Sequence, residues 1–192
     1  MEERQRKLVP STKNLVAHYK LWAGEASTDS IFDYSLSGFT GDVSGSGVSC
    51  SYPGLAFDGT GDYINIGAGP ASVKTVAVWI KITSASADYT VVDLNGTDKL
   101  LVWSSILGYQ GFAGGTVVLS VDGVAAATAV DTSWHLIGIT DTVAKNASAL
   151  TIGIAIGDVF SGSIGEVRLY SSVLSPVDMK NLYELTRWRY GV

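Results

Sequence analysis

Hydrophobic and polar residues alternate along most of this chain, and the alternation predicts strands. Leu15, Ala17, Tyr19 and Leu21 share one face of a first strand, LVAHYKLW. VKTVAVWIKI is the most regular, with Val76, Val78, Ile80 and Ile82 on one face and Thr75, Ala77, Trp79 and Lys81 on the other. GLAFDGTGDYINIG reads as two short strands around a turn at 58–62. YTVVDLNG and KLLVWSSILG read as a hairpin closed near Asn95-Gly96. TVVLSVDG places Val117, Leu119 and Val121 together, ahead of a turn at Asp122-Gly123. SWHLIGIT and ALTIGIAIG add two strands separated by the polar DTVAKNAS, and Leu150, Ile152, Ile154 and Ile156 form a regular inward row. SGSIGEVRLY sets Val167 and Leu169 against Glu166, Arg168 and Tyr170.

The segment 33–47 carries too many turn formers for regular structure. One helix is expected, at the C-terminal end. Ser175 caps it, Pro176 fits its first position, and Asp178 favours its positive end. Met179, Leu182, Tyr183 and Thr186 recur at helical spacing and would lie against the sandwich edge. About ten strands, without internal repeats, mean an all-β sandwich or barrel.

Composition narrows the function. The 192 residues include 22 glycines and 16% charged residues, enough for one folded domain without staples. Cys50 is the single cysteine, so no intrachain disulfide forms. No apolar run approaches a membrane span, and no secretory leader is visible in MEERQRKLVPSTKN. The net charge is -5, and five of the 13 basic residues fall in the first 20 positions. The body therefore lacks a basic stripe for nucleic acid. Residues 1–13 read as a charged arm or tail, and 14–192 as the domain.

The chain's ending, GEVRLYSSVLSPVDM, resembles the close of laminin-G-like (concanavalin A-like) domains. LVAHYKL, the loop residues Asp33, Ser35, Gly38 and Gly41, GLAFDGTGDYINIG, VAVWIKI and WHLIGIT resemble further motifs of that family, in the family's order from Leu15 to Tyr183. The resemblance implies a two-sheet antiparallel jelly-roll with neighbouring first and last strands and a short C-terminal helix. It also makes Trp79 and Trp134 packing residues. Gly61 and Gly165 stand where many members carry Asp, which weakens a Ca²⁺ site, although Asp33, Asp58, Asp62 and Glu166 remain. No cofactor is expected. Asp58 and Asp62 read as turn chemistry, and His18 and His135 as structural.

Catalysis finds little support. Glu occurs only at 2, 3, 25, 166 and 184, without the E-x-D-x-x-E spacing of the fold's glycosidases, and no nucleophile elbow or H-x-x-x-H is present. The expectation is a non-catalytic recognition or decoration domain. Its partner is a glycan, or a larger assembly such as a phage capsid or fibre at a virion surface, with homo-oligomers allowed. The alternatives are a glycan-binding module of a cellular polysaccharide-processing system and, behind it, a glycoside hydrolase. The candidate ligand residues are Asp93, Asn95, Trp103 and Tyr109.

Overall fold

The computed structural model describes residues 12, 14–155 and 158–192. Apart from Thr12, the expected arm at 1–13 lies outside these residues, as does Ile156. In chain order the strands are β1 (Leu15–Lys20), β2 (Ser30–Ile31), β3 (Gly41–Ser44), β4 (Ser49–Cys50), β5 (Leu55–Asp58) and β6 (Tyr63–Gly67). There follow β7 (Val73–Ile82), β8 (Asp88–Asp93), β9 (Lys99–Trp103), β10 (Ile106–Gln110), β11 (Val117–Val121) and β12 (Val124–Ala125). The last are β13 (His135–Lys145), β14 (Leu150–Ile152), β15 (Ile154–Ala155), β16 (Asp158–Val159) and β17 (Ser161–Tyr170). A helix α1 (Pro176–Thr186) and a 3₁₀ turn (Arg187–Arg189) close the chain.

Two antiparallel sheets pack face to face. One runs β12-β11-β13-β7-β17-β5-β4, the other β10-β9-β8-β14-β6-β3-β2, and β15 and β16 form a small separate ribbon. Strand β17 pairs with β7 on one side. On its other side it pairs first with β5, at 161–164, and then with β1, from Lys20↔Glu166 to Leu15↔Tyr170. First and last strands are therefore neighbours. The core between the sheets holds Ala17, Tyr19 and Leu21 from β1 and its continuation, Val76, Val78, Ile80 and Ile82 from β7, and Val167 and Leu169 from β17, while a register shift after Leu15 takes that residue off the predicted face. Each such large side chain contributes roughly 1.5–3 kcal/mol by leaving water.

A second, smaller core lies on the outer face of the first sheet. Helix α1 and the 3₁₀ turn bring Met179, Leu182 and Tyr190 onto Ala77, Trp79 and Leu136. Trp79 stacks on Tyr190 at 4.1 Å between centroids and donates its indole N–H to Thr186 Oγ1 at 2.9 Å. The helix thus covers a sheet face rather than merely blunting an edge. Its start is as expected: the Ser175 hydroxyl accepts from the Asp178 N–H, and the Asp178 carboxylate accepts from the Ser175 N–H. This cover also buries Glu166 and Tyr170 on the polar face of β17 and leaves Arg168 half-buried.

Four expectations need correction. The segment 33–47 contains β3, which pairs with β2 and β6 despite its glycines. KLLVWSSILG is two strands, because Ser104 and Ser105 take φ of 47° and 69° and turn the chain between paired Trp103 and Ile106. DTVAK continues β13 instead of leaving it. The Leu150 to Ile156 row breaks at Gly153 (φ 90°), after which Ala155 is buried and Ile154 half-buried. The two strands of GLAFDGTGDYINIG enter different sheets, so their turn is a crossover between layers.

Candidate functional site

The candidate residues Asp93, Asn95, Trp103 and Tyr109 all lie on or beside the β8–β9–β10 meander, but they do not converge. Asp93 is 5% exposed, and its Oδ1 accepts the N–H groups of Asn95 (3.1 Å) and Gly96 (2.6 Å). Asn95 Oδ1 accepts from Thr97 and Asp98, while its Nδ2 donates to Asp98 Oδ2 and to the Asn146 carbonyl. Both side chains are therefore engaged in closing a turn. Trp103 and Tyr109 are 41% and 39% exposed. Trp103 pairs with Ile106 on the outer face, whereas Tyr109 pairs with Leu100 on the core side and meets the Phe112 ring edge-on at 5.9 Å.

The structure builds a different constellation from Asp93 and Trp103. Following the register outward from Asp93 gives one residue per strand: Ser30, Asp42, Asn65, Thr151, Asp93, Lys99 and Gln110. All seven point away from the core, since their neighbours Ile31, Val43, Ile64, Ile152, Val92 and Leu100 pack inward, as does Leu107 three residues before Gln110. The result is a polar row across the outer face of the seven-stranded sheet. Strands lie ~4.8 Å apart, so the row is about 29 Å long. Lys99 Nζ stands 3.8 Å from Asp93 Oδ2, which holds both in place. Four residues along β9, about 13 Å away, Trp103 lies on the same face. A Cβ at Gly108 would meet its ring at 2.5 Å, so only glycine lets the indole lie flat there.

Sequence reasoning found the aromatic end of this face and missed its polar row. Ser30, Asp42, Asn65, Thr151, Lys99 and Gln110 are each ordinary outward positions of an alternating strand. Only the register of seven strands lines them up.

The other ionisable residues singled out in the sequence are engaged within the fold. Asp58 Oδ1 accepts from Thr60, and Asp62 accepts the N–H groups of Gly47 and Asp58, as turn chemistry requires. His135 sits between Asp122 (2.8 Å) and Asp131 (3.0 Å). The Asp122 hydrogen bond raises the imidazole's pKa, against the opposing effect of burial. His18 meets Glu166 at 2.6 Å, and Arg168 and Arg189 flank the same carboxylate. Gly165 gives way to Tyr190, whose hydroxyl accepts the Glu166 N–H; a Cβ there would meet that hydroxyl oxygen at 2.4 Å. An Asp at this position would not fit beneath the C-terminal cover. Among the described residues no three His, Cys, Asp or Glu are grouped to hold a metal ion, and no helix is long and apolar enough to cross a membrane.

No family model and no curated sequence matches the chain. Solved structures do. Domain 4 of AbnA, a GH43 extracellular arabinanase from Geobacillus stearothermophilus solved with arabinotriose, superposes with a TM-score of 0.62 at 14% identity, over 88% of this chain and 98% of that one. Trypanosoma rangeli sialidase in complex with sialic acid gives 0.60 at 15% identity, over 91% of this chain and 33% of the enzyme. The receptor-binding domain of botulinum neurotoxin D gives 0.57 at 13% identity, over 91% and 53%. At these identities the likeness establishes a shared β-sandwich fold.

Proposed function

We propose that this domain is a non-catalytic glycan-binding module that receives an extended saccharide across the outer face of its seven-stranded sheet. The observation that carries the reading is the register row from Ser30 to Gln110, with Trp103 on the same face. The exposed Asp42, Asn65 and Gln110 and the half-buried Ser30 offer carboxylate, amide and hydroxyl groups to the hydroxyls of a linear sugar chain, and the indole offers a flat apolar platform to a pyranose or furanose face. The sandwiches it resembles add support, since one was solved with arabinotriose.

The same geometry argues against hydrolysis. Asp42 and Asp93 are the two carboxylates of the row. They lie three strand spacings apart, about 14 Å, beyond the roughly 5–9.5 Å that a glycosidase pair needs. Asp93 is also engaged by its turn and by Lys99.

On an open face, each hydrogen bond contributes about 0.5–1.5 kcal/mol net, so the affinity is weak, near the millimolar range. Titration with linear neutral oligosaccharides, arabinotriose included, tests the reading by amide chemical shifts. The expected result is perturbation along β6, β8, β9 and β14. Trp103→Ala and Asn65→Ala should each weaken binding about tenfold, equivalent to 1.4 kcal/mol. Unchanged affinity in both variants, or no perturbation with any sugar, would overturn it.

A further inference from the structure

The outer face of the other sheet holds a recess of about 130 Å³, lined by Val118, Thr140, Val173, Leu174, Pro176 and Met179. Its size is comparable with the roughly 150 Å³ apolar cavities that take up benzene. Its floor is the β11–β13 pair, and its walls are the segment leading into α1 and the helix's first turn. Val118 and Val173 are exposed at its mouth.

We propose that the occupant is Leu8-Val9-Pro10 of the same chain, and this does not depend on the glycan reading. Register supplies the distance. Leu15, Tyr170, Thr75, Thr140 and Val118 form one row across β1, β17, β7, β13 and β11. At ~4.8 Å per strand, Thr140 lies about 14 Å from Leu15 and Val118 about 19 Å. The six residues from Asn14 back to Leu8 reach at most about 20 Å. The starting point is fixed, because the Asn14 carbonyl accepts the Ser171 N–H at 2.8 Å, two residues before Val173. The chain also bends there: the Leu15 N–H donates to the Thr12 carbonyl, and Asn14 has a φ of 65°. Within residues 1–13, Leu8, Val9 and Pro10 are the one apolar run, set apart from the charged residues 2–7.

A double-mutant cycle in the full-length chain tests this. The variants are Leu8→Asp with Val9→Asp, Val173→Asp, and all three together. Val173 is already exposed, so aspartate there leaves the fold intact. Each single arm of the cycle should lower the melting temperature by about 2–4 °C. The combined variant should fall no further than either, since both remove one contact. Additive losses would overturn the proposal, as would an unchanged melting temperature for the Leu8/Val9 variant. So would a coupling that appears only with concentration-dependent mass in sedimentation, which would assign the recess to a second copy.

Discussion

At the scale of single residues, charge is held where packing is densest. Glu166 is 3% exposed, between His18, Arg168 and Arg189. Burial pushes its carboxyl pKa up, but the His18 hydrogen bond and the Arg168 charge more than reverse this and bring it down to about 2. A depressed carboxyl contributes stability above its unfolded pKa and loses it as pH falls through the folded value. The domain should therefore lose about 3 kcal/mol between roughly pH 4.5 and 2, measured as a falling urea midpoint. Glu166→Leu should cost about 3–5 kcal/mol at neutral pH, because it leaves two guanidinium groups half-buried without their partner. In that variant the pH 4.5–2 loss should shrink, and an identical profile would show that the carboxylate is not responsible. The sequence placed Glu166 and Arg168 on one strand face. The neighbouring strand β1 adds His18, whose Nε2 hydrogen-bonds the Glu166 carboxylate. Arg189 was not foreseeable, because nothing local announces that a C-terminal 3₁₀ turn folds back over β17.

At the scale of elements, legibility follows the locality of the signal. Helix α1 was readable because Ser175, Pro176 and Asp178 act within one turn. Ser175→Ala should lower stability by about 1 kcal/mol, a drop of about 2–4 °C in melting temperature. The β9–β10 turn was unreadable because Ser104-Ser105 lacks the Asn-Gly signature of a tight hairpin, and tertiary context holds both serines at positive φ. The bond from Ser105 Oγ to the Ala85 carbonyl, at 2.9 Å, is part of that context. Ser104→Asn keeps this bond and suits the left-handed backbone, so it should raise the melting temperature by about 1–3 °C. A decrease would mean that the weak contact between Ser104 Oγ and Asp88, at 3.4 Å, matters more than backbone strain. The β13 extension through DTVAK was hidden by polarity: Asp141 and Lys145 are buried together at 3.2 Å, with the ammonium also donating to the Ala113 carbonyl.

At the scale of the molecule, the sandwich gives its two outer faces different fates. The face of the eight-stranded sheet is largely covered by α1 and the 3₁₀ turn, whereas the opposite face carries a polar row that is exposed at Asp42, Asn65 and Gln110 and buried at Asp93. That contrast could not be read from sequence, because Ser30 and Thr151 fall in one row only through the pairing of β2, β3, β6 and β14. On the proposed reading it also sets what a glycan ligand should look like. A row about 29 Å long, built one residue per strand, gains contacts with each added sugar until the chain outgrows the sheet. Affinity should therefore climb with oligosaccharide length and then level off, whereas a pocket for a terminal sugar would give the same affinity at every length. Thermal shift reads this directly: at ten times Kd a ligand stabilises by about 1.4 kcal/mol, which raises the melting temperature by about 3–6 °C. At a fixed concentration the shift should grow from the disaccharide upward and vanish at every length in a combined Trp103→Ala, Asn65→Ala variant. A shift that is full-sized with a monosaccharide would move the site off the row and into a single enclosed position.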